Sequence, residues 1–363
     1  MPSKAYKDTG VDYDVLDAGK RRASAAAAAT SGLMRARGAT AVEASRGEPA
    51  FVWSMGDTSY ALVLECLGTK SLVAEEVFLD TRTNLFDVVG YDTVAAAVND
   101  LVCVGALPIA INAYFAAGNS AWFASPRLKT LVKGFELGCR DAGVTWGGGE
   151  SPALSGVVAD QSIDLAAAAV GVVDASGPLL GADLRAGDSI VIVESSGIHA
   201  NGASLARHIA STLPNGWRTR VGRSSLGRAV LERTTMYSRL VERVLPLGGI
   251  KYFSNVTGHG ALKLMRANAD DVSYVLSSLP AVPKVLGYLA EEAGLDDRDA
   301  YTTFNMGLGF AVYCTDEVAP KVVDVATTAG YRAKVRGRVE KGPKRVVLEP
   351  LDIEYGADEL ELR

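Results

Sequence analysis

Two adjacent polar residues, Asn99 and Asp100, interrupt a stretch of the chain that is otherwise almost entirely apolar. The surrounding residues, 93–104, have the composition of a buried helix. A carboxylate buried in such a helix needs a cation, a basic partner or contact with a water-filled cleft. A metal ion bound in a cleft meets that need. In the alternative, Asp100 pairs with an arginine and only holds the helix in register.

Two other segments combine acidic residues with glycines, which is typical of loops that bind phosphate and metal. The sequence ECLGTK runs from Glu65 to Lys70 and lacks the glycine spacing of a Walker A loop. In the sequence GGGE, predicted to follow a short strand, the amides of Gly148 and Gly149 can approach a polyphosphate while Glu150 binds a cation. For both segments, a turn with a solvated acid is the alternative.

The sequence SSGIHANG, after a predicted strand at 189–194, is a third polar segment. It predicts a glycine turn leading into a helix capped by Asn201, and free amides at a helix start favour anions. Ser196, Gly197 and His199 belong to this turn. A histidine in a loop most often lies at the surface, so its position at a helix start is what favours a role in phosphate binding or as a base.

Composition limits the class of protein. The chain has 363 residues, of which 48% are hydrophobic and 38 are glycine, and this predicts two globular domains with many tight turns. A net charge of −5 argues against nucleic acid as a partner. The four cysteines have no metal-binding spacing, which favours a reducing cytoplasm. We predict neither a signal peptide nor a membrane span.

Hydrophobic periodicity predicts an α/β protein. It predicts a hairpin over residues 51–65 and helices at 15–30, 93–104, 126–142, 226–246, 262–268, 283–294 and 320–329. Further strands are predicted at 109–115, 163–173, 189–194, 308–314, 334–339 and 345–348. The breaker-rich segment 174–187 predicts a boundary between an N-terminal domain, 1–174, and a C-terminal domain, 175–350. An acidic tail is predicted at 351–363.

The motifs of the chain, in order, resemble those of the aminoimidazole ribonucleotide synthetase (phosphoribosylformylglycinamidine cyclo-ligase) family. They are AYKDTGVD, GTK, VNDL, GGGE, SSGIHANGASL, TGHG and TFNMGLGF, and the similarity spans residues 5–349. The resemblance implies an N-terminal sheet that forms a barrel across a homodimer, an α/β C-terminal domain, and a cleft between the domains for ATP and substrate.

The reaction implied by the resemblance is ATP-dependent cyclisation of formylglycinamidine ribonucleotide to 5-aminoimidazole ribonucleotide, with Mg²⁺. By position, the resemblance assigns the metal to Glu65, Asp100 and Glu150, and catalysis to Lys70, Asp100 and His199. It assigns nucleotide binding to Lys70, Asn99, Gly148 and Gly149. It assigns substrate binding to Asp92, Ser196, Gly197, His199, Asn201, Thr303 and Asn305.

The chain departs from the family pattern near two of these motifs. Glu65 stands where the family has a metal-binding aspartate, and Cys66 replaces a glycine. Asn255 stands where the family has a histidine, and His259 replaces a glycine. Two alternatives therefore stay open beside the cyclo-ligase. One is a regulatory paralogue that binds nucleotide without this chemistry, and the other is a small-molecule kinase of the same superfamily.

Overall fold

Two β-sheets organise the part of the chain that the structure, a computed structural model, describes, namely residues 13–360. The motif AYKDTGVD and the last three residues of the acidic tail lie outside the described residues. The first sheet contains β1 (Ala39–Ala41), β2 (Phe51–Met55), β3 (Thr58–Cys66), β4 (Ala106–Ala117), β5 (Thr145–Glu150) and β6 (Ile163–Val173). Its strand order is β1-β2-β3-β6-β4-β5.

The second sheet is built from strands that follow the predicted domain boundary. It contains β7 (Ser189–Glu194), β10 (Ile250–Asn255), β11 (Val272–Leu276), β12 (Leu308–Cys314), β13 (Ala333–Lys341), β14 (Arg345–Leu348) and β15 (Ile353–Gly356). Between β7 and β10 in the chain, the short strands β8 (Arg220–Val221) and β9 (Ser224–Ser225) pair with each other and form a separate sheet. The strand order of the second sheet is β10-β12-β7-β13-β11-β14-β15. Strand β15 pairs with β14, and Tyr355 is fully buried. These residues thus belong to the sheet, not to a separate tail.

Helices cover the sheets. They are α1 (Tyr13–Ala28), α2 (Lys70–Thr81), α3 (Phe86–Leu101), α4 (Pro126–Ala142), α5 (Ala203–Thr212), α6 (Leu226–Val230), α7 (Ser238–Val244), α8 (Lys284–Glu292), α9 (Asp297–Thr303) and α10 (Ala319–Thr328). None of the helices in this part of the chain is long and apolar enough to cross a membrane.

The buried helix α3 carries Asn99 and Asp100, the adjacent polar residues of the apolar stretch. It begins earlier than predicted, at Phe86, and its end is followed by a short 3-10 turn that stops at Gly105, which has a φ of 76°. Glycines bring α3 close to α4: a Cβ on Gly90 would lie 2.2 Å from the Leu131 carbonyl oxygen, and one on Gly134 would lie 1.9 Å from the Asp87 carbonyl oxygen. The backbones therefore touch, which holds α3 in a defined position.

Three local predictions are wrong. The predicted helix 226–246 is two short helices, α6 and α7, separated by an extended segment. The glycines of GGGE lie within β5, and a Cβ on Gly149 would lie 1.9 Å from the Ala113 carbonyl oxygen of the neighbouring strand. Helix α5 begins at Ala203 after Gly202, whose φ of 88° suits glycine, so Asn201 is not its cap.

Candidate active site

Polar residues of the two sheet domains meet in two groups. The first, which we call the seam cluster, consists of Lys70, Asp92, Asn99, the loop 195–201 and the extended segment 232–237. The second, which we call the acid cluster, consists of Glu65, Asp100, Asn255 and Lys263. In both groups the first domain contributes through β3, α2 and α3. The second domain contributes segments between its strands and helices, together with Asn255 at the end of β10.

Lys70 lies at the centre of the seam cluster and has no exposed surface. Its ammonium donates to Asp92 Oδ2 at 2.5 Å, to the His199 carbonyl oxygen at 2.6 Å and to the Glu232 carbonyl oxygen at 3.0 Å. All three ammonium protons are therefore used within the protein. The predicted phosphate contact of Lys70 is not available in this arrangement, because no proton is left for a nucleotide.

Helix α3 binds the backbone of the segment 232–237. Asp92 Oδ1 accepts from the Thr234 amide at 2.8 Å. Asn99 donates to the Thr235 carbonyl oxygen at 2.9 Å and accepts from the Tyr237 amide at 2.8 Å. Burial raises the pKa of Asp92, and the ion pair with Lys70 opposes that shift. Asp92 and Asn99 were predicted to contact substrate and nucleotide, but here their polar atoms hold the two domains together.

The loop 195–201 is also held by protein groups. Ser196 donates its hydroxyl to the Arg233 carbonyl oxygen at 2.5 Å, and its amide donates to His199 Nε2 at 3.3 Å. His199 is only 3% exposed. Burial, with the nearby Lys70 charge, lowers the pKa of His199 to about 3, so its ring is neutral at physiological pH. A neutral, buried imidazole that accepts a hydrogen bond positions this loop and offers no positive charge to a phosphate.

The turn TFNMGLGF supports the same loop. Asn305 accepts from the Ser195 hydroxyl at 2.7 Å and donates to the Gly197 carbonyl oxygen at 2.8 Å. Thr303 ends α9, and its hydroxyl is buried without a hydrogen-bond partner in the described part of the chain. Asn201 is half-buried. Of the residues predicted to contact substrate, Thr303 is thus the one whose buried polar atom still lacks a partner.

The buried His199 predicts how stability depends on pH. Below its unfolded pKa of 6.5, the ring takes up a proton in the unfolded chain but not in the folded protein until about pH 3. The contribution of His199 to stability should therefore fall by about 2 kcal/mol between pH 8 and pH 5, since each pH unit below 6.5 contributes about 1.4 kcal/mol. Two other groups titrate in the same range: Glu65, with its pKa raised to about 8, acts with the opposite sign, and Lys263, with its pKa lowered to about 7, acts with the same sign. The His199 contribution is therefore the difference between the protein and a His199 variant.

Urea unfolding at both pH values measures the change in stability from pH 8 to pH 5, and that change should be more favourable by about 2 kcal/mol in His199→Gln than in the unaltered protein. The matched control is His208→Gln, because His208 is exposed on α5. If His199→Gln kept the full pH dependence, the assignment of His199 as a neutral buried ring would be wrong.

The acid cluster joins carboxyl groups of two elements. Glu65 lies near the end of β3, and Asp100 lies near the end of α3. Asn255 donates to Asp100 Oδ1 at 2.7 Å. Burial, followed by the neighbouring Asp100 carboxylate, raises the pKa of Glu65 to about 8. Burial lowers the pKa of Lys263 to about 7, and Arg266 adds to that shift while Asp100 and Glu65 oppose it.

Glu150 does not join this cluster. In the strand register, Glu150 pairs with Tyr114, Tyr114 with Ala166, and Ala166 with Cys66, the residue after Glu65. Glu150 and Cys66 are therefore three strand spacings, or about 14 Å, apart across the sheet. Paired residues share a face of a sheet, so Glu150 points to the side opposite Glu65. Within residues 13–360, no group of three or more Asp, Glu, His or Cys side chains could hold a metal ion. Within one chain, the structure therefore does not bring Glu150 to the other two acids of the predicted metal site.

Gly148 and Gly149 lie on the same far edge as Glu150 and are exposed. The structure thus separates the GGGE segment from the other predicted nucleotide-binding residues.

The remaining donors fit Mg²⁺. Glu65 and Asp100 offer carboxylate oxygens, and Asn255 Oδ1 is buried without a hydrogen-bond partner among the described residues. Mg²⁺ prefers such hard oxygen ligands and is commonly bound through one or two carboxylates, with water or phosphate completing its shell. Glu65, Asp100 and Asn255 are therefore the residues that could hold this ion.

Sequence reasoning missed two contributors to these clusters. Lys263 was assigned to a helix, although a lysine within the apolar sequence ALKLM was a signal like that of Asp100. The segment 232–237 was assigned to the interior of a long helix, and its two threonines, Thr234 and Thr235, were the signal against that assignment.

Comparison with known families gives matches over both domains. The description "AIR synthase related protein, N-terminal domain" fits residues 47–173, and "AIR synthase related protein, C-terminal domain" fits residues 185–349. A phosphoribosylformylglycinamidine cyclo-ligase of Methanothermobacter thermautotrophicus is 34% identical, covering 95% of this chain and 96% of that protein. A protein of the same name from Methanococcus maripaludis is 30% identical, covering 92% of each chain.

Solved structures share the fold at lower sequence identity. A HypE-HypF complex contains a chain with a TM-score of 0.60 and 18% identity, covering 82% of this chain and 88% of that one. AaThiL complexed with AMPPCP and TMP has a TM-score of 0.58 and 14% identity, covering 85% and 90%. At these identities the likeness concerns the two-domain fold alone.

Proposed function

Because the chain belongs to the AIR synthase related family, we propose that it is an ATP-dependent cyclo-ligase that closes formylglycinamidine ribonucleotide to 5-aminoimidazole ribonucleotide in purine biosynthesis. The observation that carries this proposal is the meeting of Glu65 and Asp100 at the contact between the domains, beside the partnerless oxygen of Asn255. Relatives with this activity in their names match nearly the whole chain.

In this proposal each cluster has its own task. Glu65, Asp100 and Asn255 would hold Mg²⁺, and the ion would supply positive charge that screens the ATP phosphates in the proposed phosphorylation of the substrate's amide oxygen. The seam cluster fixes the distance between the domains, so that nucleotide and ribonucleotide are held in a reactive orientation. Lys70 and His199 act as positioning residues: Lys70 binds the carbonyl oxygen of His199, and the ring of His199 orients the loop 195–201.

The experiment that tests this proposal is turnover by the purified protein. Incubation with ATP, Mg²⁺ and formylglycinamidine ribonucleotide should release ADP only when the ribonucleotide is present, with stoichiometric formation of the imidazole product. Binding of ATP without turnover would overturn the proposal in favour of a regulatory paralogue. ADP release with a different phosphoryl acceptor and no imidazole would favour a kinase.

We further propose a homodimer in which the first sheets of two copies face each other. One face of this sheet packs on helices, and the other leaves large apolar side chains uncovered, with Leu64 71%, Leu62 46% and Ile109 46% exposed. The stacked rings of Trp53 and Tyr60 continue this face. An apolar surface of this extent needs a partner. A second copy offers the same apolar surface across a two-fold axis, which makes the contact self-complementary.

The homodimer proposal predicts that Leu64→Glu separates the copies. Two glutamates brought together at an apolar two-fold contact repel and lose hydration, so the dimer dissociation constant should rise at least ~100-fold. Light scattering coupled to gel filtration measures the mass directly. The control is Val335→Glu, because Val335 is 45% exposed in the second sheet. A monomeric unaltered protein, or a Leu64→Glu variant that stays dimeric, would contradict this arrangement.

We also propose that the protein acts in the cytoplasm. All four cysteines are free thiols, with Cys66 exposed and the other three buried. Unpaired cysteines are usual in a reducing compartment, where the proposed nucleotide substrates are found.

A further inference from the structure

The backbone of Lys263 is held by the second domain. The residue lies in the 3-10 turn Gly260–Met265, and its carbonyl oxygen accepts from the Ser254 hydroxyl at 2.7 Å. The turn starts at Gly260, which has a φ of 54°; a Cβ there would lie 2.0 Å from the Tyr301 carbonyl oxygen. Only glycine fits this contact, so the turn has a fixed path and directs Lys263 without help from a ligand.

Lys263 is largely buried, and its ammonium makes no bond within the described part of the protein. Lys263 is only 8% exposed, and within the described residues its ammonium makes no ion pair or hydrogen bond. Lys70, the other buried lysine of the cleft, donates to three oxygens. The charges nearest to Lys263 are the carboxylates of Asp100 and Glu65, which attract it, and Arg266 and Lys20, which repel it. A positive charge on a side chain that is mostly removed from water is stabilised by a nearby anion, and the unused ammonium protons of Lys263 leave a bound anion free to supply that contact.

We propose that Lys263 contacts the terminal phosphoryl oxygens of the bound nucleotide, and this inference rests on the proposed function. The phosphate would lie between the Lys263 ammonium and the Glu65–Asp100 pair, so that carboxylates, Mg²⁺, phosphate and ammonium alternate in charge. Lysine commonly binds phosphate as a point charge. Lys263 thereby takes the role that the sequence assigned to Lys70.

Arg266 is partly committed to the protein. Its guanidinium donates twice to the Gly47 carbonyl oxygen, at 3.0 and 2.9 Å. Those bonds hold the segment before β2 against the second domain. Among the described cationic side chains near Asp100 and Glu65, Lys263 is therefore the buried one that has none of its protons committed to a protein partner.

The competing explanation is that Lys263 only neutralises Glu65 and Asp100, in place of a ligand. The two explanations differ in the effect of removing the charge. If Lys263 binds phosphate, Lys263→Met should weaken nucleotide binding. If it only neutralises the acids, the same change should leave binding of a magnesium-nucleotide unchanged or strengthen it, because the acids would be freed for the metal.

The test is calorimetric binding of the non-hydrolysable analogue AMPPNP and of AMP, both with Mg²⁺. In Lys263→Met, the dissociation constant of AMPPNP should rise at least about tenfold, as expected for loss of one charge-assisted contact, and that of AMP should stay within about twofold. Lys263→Arg should retain part of the affinity for AMPPNP. Lys321→Met is the matched control, since Lys321 is exposed on α10.

Equal affinity of Lys263→Met and the unaltered protein for AMPPNP would overturn the inference and leave the proposed function standing. Equal losses for AMPPNP and AMP would also overturn it, because the contact would not be specific to the terminal phosphates. If the unaltered protein bound no AMPPNP, both proposals would fail. Should Lys263→Met not fold, Lys263→Gln keeps a polar side chain of similar length and is measured in the same way.

Discussion

Asp100→Asn should reduce ATP-dependent ring closure at least ~1000-fold, equivalent to about 4 kcal/mol of transition-state stabilisation, and leave the fold intact. The change removes one carboxylate from the proposed Mg²⁺ site at nearly constant volume. An amide oxygen at this position can still accept the 2.7 Å hydrogen bond from Asn255. Since Glu65 would no longer face a second negative charge, the variant should be at least as stable as the unaltered protein.

Steady-state kinetics and thermal unfolding separate these effects. Asp324→Asn is the control. Asp324 is exposed on α10, and it lies far along the chain from the residues of the acid cluster. Activity of Asp100→Asn within tenfold of normal would show that Asp100 binds no catalytic metal. A large loss of stability would instead mean that Asp100 mainly holds the domains together through Asn255.

Lys70→Met should lower the free energy of unfolding by about 3–5 kcal/mol. The change leaves Asp92 buried without its cation, and it also removes the donor to the carbonyl oxygens of His199 and Glu232. Asp92 cannot replace its lost hydrogen bond with one to water, because the side chains of Lys70 and Asp92 have no exposed surface. Denaturant unfolding of the single variant measures this loss.

The double variant Lys70→Met with Asp92→Asn identifies the source of the loss. Removing both charges should restore part of the stability, because no unpaired charge then remains buried. By contrast, a phosphate-binding Lys70 would behave differently: its replacement would raise the Michaelis constant for ATP and change stability by less than about 1 kcal/mol, and the second replacement would restore nothing. That outcome would reinstate the role suggested by the sequence.

The departures from the family pattern belong largely to one place. Glu65 and Asn255 are far apart in the chain, and in the structure both contact Asp100. The side chain of Glu65 is longer than that of the family's aspartate, and Asn255 has an amide in place of the family's imidazole. Both changes therefore affect the geometry of the same proposed metal site. Lys263 stands beside them, and its positive charge acts on both acids. Glu65 and Asn255 thus form one altered site.

Local sequence patterns predicted many elements accurately. The predicted bounds of α4, β6, β7, β12 and β14 match the structure because each element has its own hydrophobic periodicity and its own breakers. The helix predicted at 226–246 failed for a long-range reason. Thr234 bonds to Asp92, 142 residues away, and Thr235 bonds to Asn99, 136 residues away. Those bonds keep the segment out of a helix. The two threonines weaken the helix locally, but their bonding partners lie in a distant segment that no local pattern reveals.

By itself, the sequence determined the two-domain α/β class, the family and the kinds of side chain that a magnesium-nucleotide site requires, since motifs and periodicity are properties of short segments. Only the tertiary structure decided which of those side chains face a ligand. Lys70 and Lys263 are alike as residues, but one has three protein partners and the other has none in the described chain. The free energy of a buried charge depends on the groups around it, and those groups come from distant parts of the chain.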